Sequence, residues 1–197
     1  MPGGSKVGGG LKTKKSAFYA VSPLRQDELI SEDIDPKDIY TRQLFNESRF
    51  KSDAVSPAGA TSIAQIMPNA FKDGLGKGYI PEGTKYEDLA TDDNLAIQFQ
   101  ESYMNDLLSR GWNKGTEEVK MAKALAAYNM GPTGLVNYLN KQKKAGVDIY
   151  NSLDWVEGLN TETKNYVTNI LLGGSEAYEE EFEREYTKYL DGQKSVP

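Results

Sequence analysis

From residue 33 to about residue 190 the chain repeats one pattern: apolar residues recur every three or four positions, then a glycine or proline interrupts them. Nowhere does it alternate apolar and polar residues with a period of two. A stripe with that spacing covers one face of an α-helix, and the lack of strict alternation leaves no half-buried strand to build a sheet. The fold class is therefore mainly α, with room for one short hairpin near residues 78–90.

The punctuation places the helices. Asp35-Pro36 opens the first, since an acceptor side chain suits the cap and proline suits the first turn; the stripe then runs to about Arg49. A turn at 56–59 leads to a short helical stretch around Ser62–Met67, and the glycines from Gly74 through Gly83 read as loop. Thr91-Asp92-Asp93 caps a helix carrying Leu95, Phe99, Tyr103 and Leu107, stopped by Gly111. Further helices span Glu117–Met130, Leu135–Lys144, Glu162–Leu172 and about Glu176–Leu190. The last carries Tyr178, Phe182, Tyr186 and Tyr189 on one stripe, with six glutamates between 176 and 185 mostly elsewhere.

Three segments follow from this pattern: a flexible basic Gly/Lys-rich arm at 1–31, a helical domain at 32–174, and an acidic C-terminal helix and tail at 175–197. Lys6, Lys12, Lys14, Lys15 and Arg25 stand in the arm with no acid before residue 27, while the whole 197-residue chain carries −6. An acidic body argues against a nucleic-acid-binding face. Phe18, Tyr19, Val21 and Leu24 are candidates to dock on the body. No run is long and apolar enough for a membrane span, and the first thirty residues lack the apolar stretch of a secretory leader.

Residue counts then restrict the chemistry. The chain has no cysteine and no histidine. Thiolate nucleophiles, zinc–thiolate sites, imidazole bases and His-ligated metals are excluded, no cofactor is implied, and carboxylates become the first candidates for acid–base work. Glu47 lies eight residues after Ile39, four after Gln43 and three after Leu44, on the inward face of the first helix. A carboxylate there either stays protonated through desolvation or reaches solvent at the helix end. Glu162 and Tyr166 share a face with Ile170, so the tyrosine hydroxyl can be tied to that carboxylate. Ala126-Ala127-Tyr128-Asn129-Met130-Gly131-Pro132 packs small residues on a helix and breaks it sharply, leaving Tyr128-Asn129 at a rim. Gln65 is an amide in an apolar run and needs a hydrogen-bond partner in the protein or on a ligand.

Taken in order, Glu47-Ser48-Arg49-Phe50, Ala54-Val55-Ser56-Pro57-Ala58-Gly59-Ala60, Gln65-Ile66-Met67-Pro68, Ala126–Pro132 and Glu162-Thr163-Lys164-Asn165-Tyr166-Val167 resemble the motifs of the Slt-type lytic transglycosylase domain. The resemblance spans about residues 33–173. It implies a lysozyme-like helical fold with a sugar cleft that cuts the MurNAc–GlcNAc β-1,4 bond of peptidoglycan. It also implies Glu47 as the single acid/base, with Ser56 and Gln65 touching or orienting sugar and Met67 lining the cleft. Tyr128 and Asn129 would shape the catalytic subsite, the Tyr128 hydroxyl near the glutamate, and Glu162 and Tyr166 would close the far side. Departures from the family pattern are Ser62-Ile63-Ala64-Gln65 where Gly-Leu-Met-Gln is usual, Met130 in place of alanine, and a 92–108 helix without the usual glycine.

Two other readings use the same residues. A goose-type lysozyme would activate water with a second acid, for which Asp53, Asp92 and Asp93 are candidates. A non-catalytic subunit would bind glycan and join a larger assembly through residues 1–31 and 175–197. A wall-directed chain without leader or cysteine fits a bacteriophage protein carried in the virion or released by holin-type lysis, and equally a bacterial protein exported by another route.

Overall fold

The computed structural model describes residues 39–194. The basic arm, the docking of residues 18–24 and the Asp35-Pro36 helix start lie outside the described residues. Among the described residues seven α-helices follow in order: α1 Ile39–Ser48, α2 Pro68–Gly76, α3 Asp93–Ser109, α4 Glu117–Met130, α5 Pro132–Lys144, α6 Thr161–Leu172 and α7 Glu176–Lys194. Short 3-10 turns at Tyr86–Ala90 and Asp154–Gly158 join them. Among the described residues the only β pairing is two isolated antiparallel bridges, Val55 with Thr61 and Thr61 with Ile66.

α4 is the centre of the fold. Its residues from Met121 to Ala127 are all buried, Lys123 included, and it packs against α3, α5 and α6. Four alanines among them let neighbouring backbones approach closely, so one helix can be covered on every side. Its Leu125 forms one apolar cluster with Met104, Leu107, Leu135, Trp155, Val167 and Ile170 from the surrounding elements. A second cluster gathers Leu44, Phe45, Phe50, Ile63, Ile66, Leu89, Phe99, Tyr178 and Phe182.

α7 supplies the last two of these. The ring centroid of Phe45 lies 5.2 Å from that of Tyr178 and 5.3 Å from that of Phe182, both edge-on, and Phe50 stacks on Tyr189 at 5.3 Å. Arg42 donates to both carboxylate oxygens of Glu179 at 2.8 Å, and Arg49 donates to Glu181 at 3.0 Å while lying over the Phe45 ring. α7 is thus fastened along α1, the helix that carries Glu47.

Three local readings need correction. The stretch Ser62–Met67 is a turn between bridged residues, not a helix: Ser62 and Gln65 have φ of 75° and 47°, which helical backbone does not permit. Residues 74–76 belong to α2 instead of a loop. Gly74 is there for space, since a Cβ would meet the Phe99 ring at 2.4 Å. Residues 78–90 form no hairpin; a turn and a 3-10 segment stand there. Elsewhere the caps behave as their residue types dictate, with Asp92, Thr116 and Asn160 each accepting from the third residue of its helix.

Candidate functional site: a cleft around Glu47

One cleft of about 660 Å³ is lined by α1, the 56–67 loop, the end of α4 and the start of α6. All eight residues singled out in the sequence reach it: Glu47, Ser56, Gln65, Met67, Tyr128, Asn129, Glu162 and Tyr166. Each wall has a local cause. Gly131, at φ 86°, ends α4, and Pro132 starts α5 at once, which leaves Tyr128 and Asn129 on the final turn of α4. The hydroxyl of Thr163 donates to Asn129 Oδ1 at 2.7 Å, and Asn160 caps α6, so the end of α4 and the beginning of α6 are held together.

The loop is held as firmly. Ser56 Oγ accepts from the backbone N–H of Ala60 at 3.0 Å, and Gln65 Nε2 donates to the carbonyls of Ala54 and Ser62 at 2.9 and 3.0 Å. Gln65 therefore finds its partners within the protein. The oxygen of its amide and the Ser56 hydroxyl hydrogen are the groups left for a ligand. The Tyr128 hydroxyl donates to the Ala64 carbonyl at 2.9 Å, tying α4 to the same loop.

Glu47 is half-buried and borders the cleft. The hydroxyl of Tyr166 donates to its Oε1 at 2.5 Å. That bond corrects the sequence reading, which tied Tyr166 to Glu162; Glu162, one helical turn before, is exposed. Desolvation pushes the Glu47 carboxyl up from 4.5 to about 8; the Tyr166 hydrogen bond opposes the rise, and the Glu162 charge adds to it. Tyr128 and Tyr166 are both pushed well above 10, first by burial and then by the Glu47 charge, so neither is a base at neutral pH. A proton held at neutral pH on a carboxyl beside an open cleft can be delivered to an oxygen bound there.

Asp53, Asp92 and Asp93 do not line this cleft. Asp92 caps α3 and Asp93 accepts from Ser52, so the carboxylates bordering the cleft are Glu47 and Glu162. Sequence reasoning missed three amides on the lining: Asn46, Asn165 and Asn169. The i, i+4 spacing of Asn165 and Asn169 beside Tyr166 was the available signal. Among the described residues no group of three or more acidic side chains is arranged to hold a metal ion, and no helix is long and apolar enough to cross a membrane.

Comparison with known proteins adds a family to this geometry. The family model described as Transglycosylase SLT domain matches residues 41–151. The 70 kDa soluble lytic transglycosylase of Escherichia coli is similar in structure at 26% identity and a TM-score of 0.55, over 74% of this chain and 21% of that one. An inactive mutant of the lytic transglycosylase Slt of Pseudomonas aeruginosa has a similar fold at 24% identity and a TM-score of 0.53, over 76% of this chain and 22% of the other. The chain spans about a fifth of the length of either, and no curated protein matches it. The mainly helical, lysozyme-like fold expected from the motifs is the one observed. The matched segment takes in most of the cleft, from α1 through α4, and covers more than half of the chain, which belongs to the Transglycosylase SLT domain family.

Proposed function

We propose that this chain is a peptidoglycan lytic transglycosylase that cuts the MurNAc–GlcNAc β-1,4 bond with Glu47 as its single acid/base. The observation that carries the reading is the Glu47 carboxyl on the cleft wall with the Tyr166 hydroxyl bonded to it, a place where desolvation pushes the carboxyl up to about 8. Glu47 gives its proton to the glycosidic oxygen as the bond from muramyl C1 to that oxygen breaks. The muramyl C6 hydroxyl then attacks C1 and returns its proton to Glu47, leaving a 1,6-anhydro end. No water is consumed, and an internal nucleophile needs no second carboxylate to activate it. Ser56, Gln65, Met67, Tyr128, Asn129 and Glu162 line the path of the glycan, and the half-buried Ser56, Gln65 and Asn129 offer a hydroxyl and amides that suit acetamido and hydroxyl groups of sugars.

Digestion of purified sacculi and chromatography of the muropeptides tests this. Anhydromuramic ends are expected; ends carrying a water-derived hydroxyl would assign the cleft to a hydrolase. Equal clearing by wild type and Glu47→Gln would remove Glu47 from the chemistry, and clearing by neither would favour a glycan-binding subunit. Action on the cell wall follows from this substrate. Carriage in a bacteriophage particle, with residues 1–31 and 175–197 as attachments to other subunits, is the delivery route we propose, and mass spectrometry of purified virions tests it.

A further inference from the structure

Behind Tyr166 lies a pair of amides that the reaction outlined above does not use. Gln43 on α1 and Gln100 on α3 are both fully buried. Gln100 Nε2 donates to Gln43 Oε1 at 2.8 Å and to the backbone carbonyl of Tyr40 at 3.3 Å. Leucine at either place would fill the space without an amide to desolvate, and a buried amide is costly unless its hydrogen bonds are made. Yet the Gln43 Nε2 closes no complete hydrogen bond; it faces the Tyr166 hydroxyl. Gln43 precedes Glu47 by one helical turn, so Tyr166 approaches both side chains of α1 at once.

The direction of this chain is fixed from its far end. A backbone carbonyl only accepts, so Gln100 must turn its NH₂ toward Tyr40. The same NH₂ must then meet the oxygen of Gln43, which leaves the NH₂ of Gln43 facing Tyr166. A donor facing the tyrosine oxygen favours the lone pair on that side, and the hydroxyl hydrogen is left to point at Glu47.

We propose that Gln43 is a positioning residue: oriented by Gln100 and the Tyr40 carbonyl, it holds the Tyr166 hydroxyl as a donor to Glu47 Oε1, so that the transferable proton stays on Oε2. The inference rests on Glu47 being the acid. The groups that face Glu47 are Tyr166 and Glu162 from α6 and Tyr128 from α4, while the loop contributes only the uncharged side chains of Ser56, Gln65 and Met67. Gln43 does not titrate, so it acts only through the hydroxyl it orients.

The test compares Gln43→Leu, Tyr166→Phe and the double variant in the full chain. Two readouts are used: kcat and KM on sacculi across pH, and the Glu47 carboxyl titration followed by carbon NMR. Gln43→Leu is expected to lower kcat about three- to tenfold with KM unchanged, the worth of one neutral hydrogen bond. It is also expected to move the Glu47 titration and the alkaline limb of the rate up by up to about one pH unit. In the Tyr166→Phe background Gln43→Leu should change neither. An unmoved titration in the single variant, or an equal effect in both backgrounds, overturns the proposal. Should Gln43→Leu not fold, Gln100→Leu decides by the same readouts, since it frees Gln43 to turn. The NMR titration does not depend on turnover; loss of the acid role would therefore show as a shifted titration with no matching shift in rate.

Discussion

Replacing Glu47 by glutamine should stabilise the protein, and by an amount that depends on pH. In the folded chain Glu47 keeps its proton up to about 8, whereas the unfolded chain releases it near 4.5. Between those values the folded state binds the extra proton, so wild-type stability falls as pH rises and the loss is complete above about 8. At about 1.4 kcal/mol per pH unit the full gap is worth roughly 5 kcal/mol. The edge of the carboxyl that meets cleft water reduces this, to about 2–5 kcal/mol. Glutamine keeps an oxygen to accept from Tyr166 and has no charge to desolvate. Urea unfolding of both proteins at pH 5 and pH 9 measures the difference, which should be small at pH 5 and about 2–5 kcal/mol in favour of Glu47→Gln at pH 9. Lys123, which burial pushes down to about 8, changes stability in the opposite sense above that pH, and subtracting one protein from the other removes its contribution. An equal difference at both pH values would refute a desolvated Glu47, and with it the acid.

Three further outcomes follow from the packing and the charges. Phe182→Ala removes a fully buried ring that touches Phe45, Phe50 and Tyr186, and should cost about 3–5 kcal/mol in urea unfolding, whereas Leu190→Ala on the exposed side of α7 should cost well under 1. At Ser62, where φ is 75°, glycine should be tolerated within about 1 kcal/mol and valine should cost 2 or more, read from thermal melts. Glu162→Gln removes the like charge that raises Glu47, so the Glu47 titration should move down in pH, visible by NMR and in the alkaline limb of the rate.

Helices whose ends are written in local chemistry were legible from sequence. α4 was placed at Glu117–Met130 with Gly131-Pro132 closing it, and the structure adds the Thr116 cap and two first-turn glutamates at its start. α2 was not, because Gly74 serves as a contact in the structure and reads as a break in the sequence; the rings of Tyr79 and of Phe99, the latter twenty-five residues away, distinguish the two. The turn at 61–66 was misread for a related reason. Its apolar residues have helical spacing, but Ser62 and Gln65 adopt positive φ in a turn held by Gln65 Nε2 donating to the Ala54 carbonyl, by the Ala64 N–H donating to Ser62 Oγ and by the Tyr86 hydroxyl, which reaches the Gly59 and Ile66 carbonyls.

The candidate site divides along the same line. Periodicity placed Glu47 on an inward face but left open whether it was desolvated, since that depends on side chains arriving from α4 and α6. One of them is Tyr166, 119 residues away, whose hydroxyl reaches Glu47 and not its near neighbour Glu162. Gln43 and Gln100 were hidden more completely. In a helical stripe an isolated glutamine reads as the polar edge of the face, and its burial appears only when α1 and α3 are laid together. A single carboxyl serving as acid and then as base must be held so that one oxygen is restrained while the other exchanges a proton. Restraint of that kind is supplied by uncharged donors, because a cation in the same place would pull the carboxyl down and ionise it. An all-amide and hydroxyl backing for Glu47 is therefore what the proposed chemistry requires, and it is also why composition and charge pattern gave no sign of it.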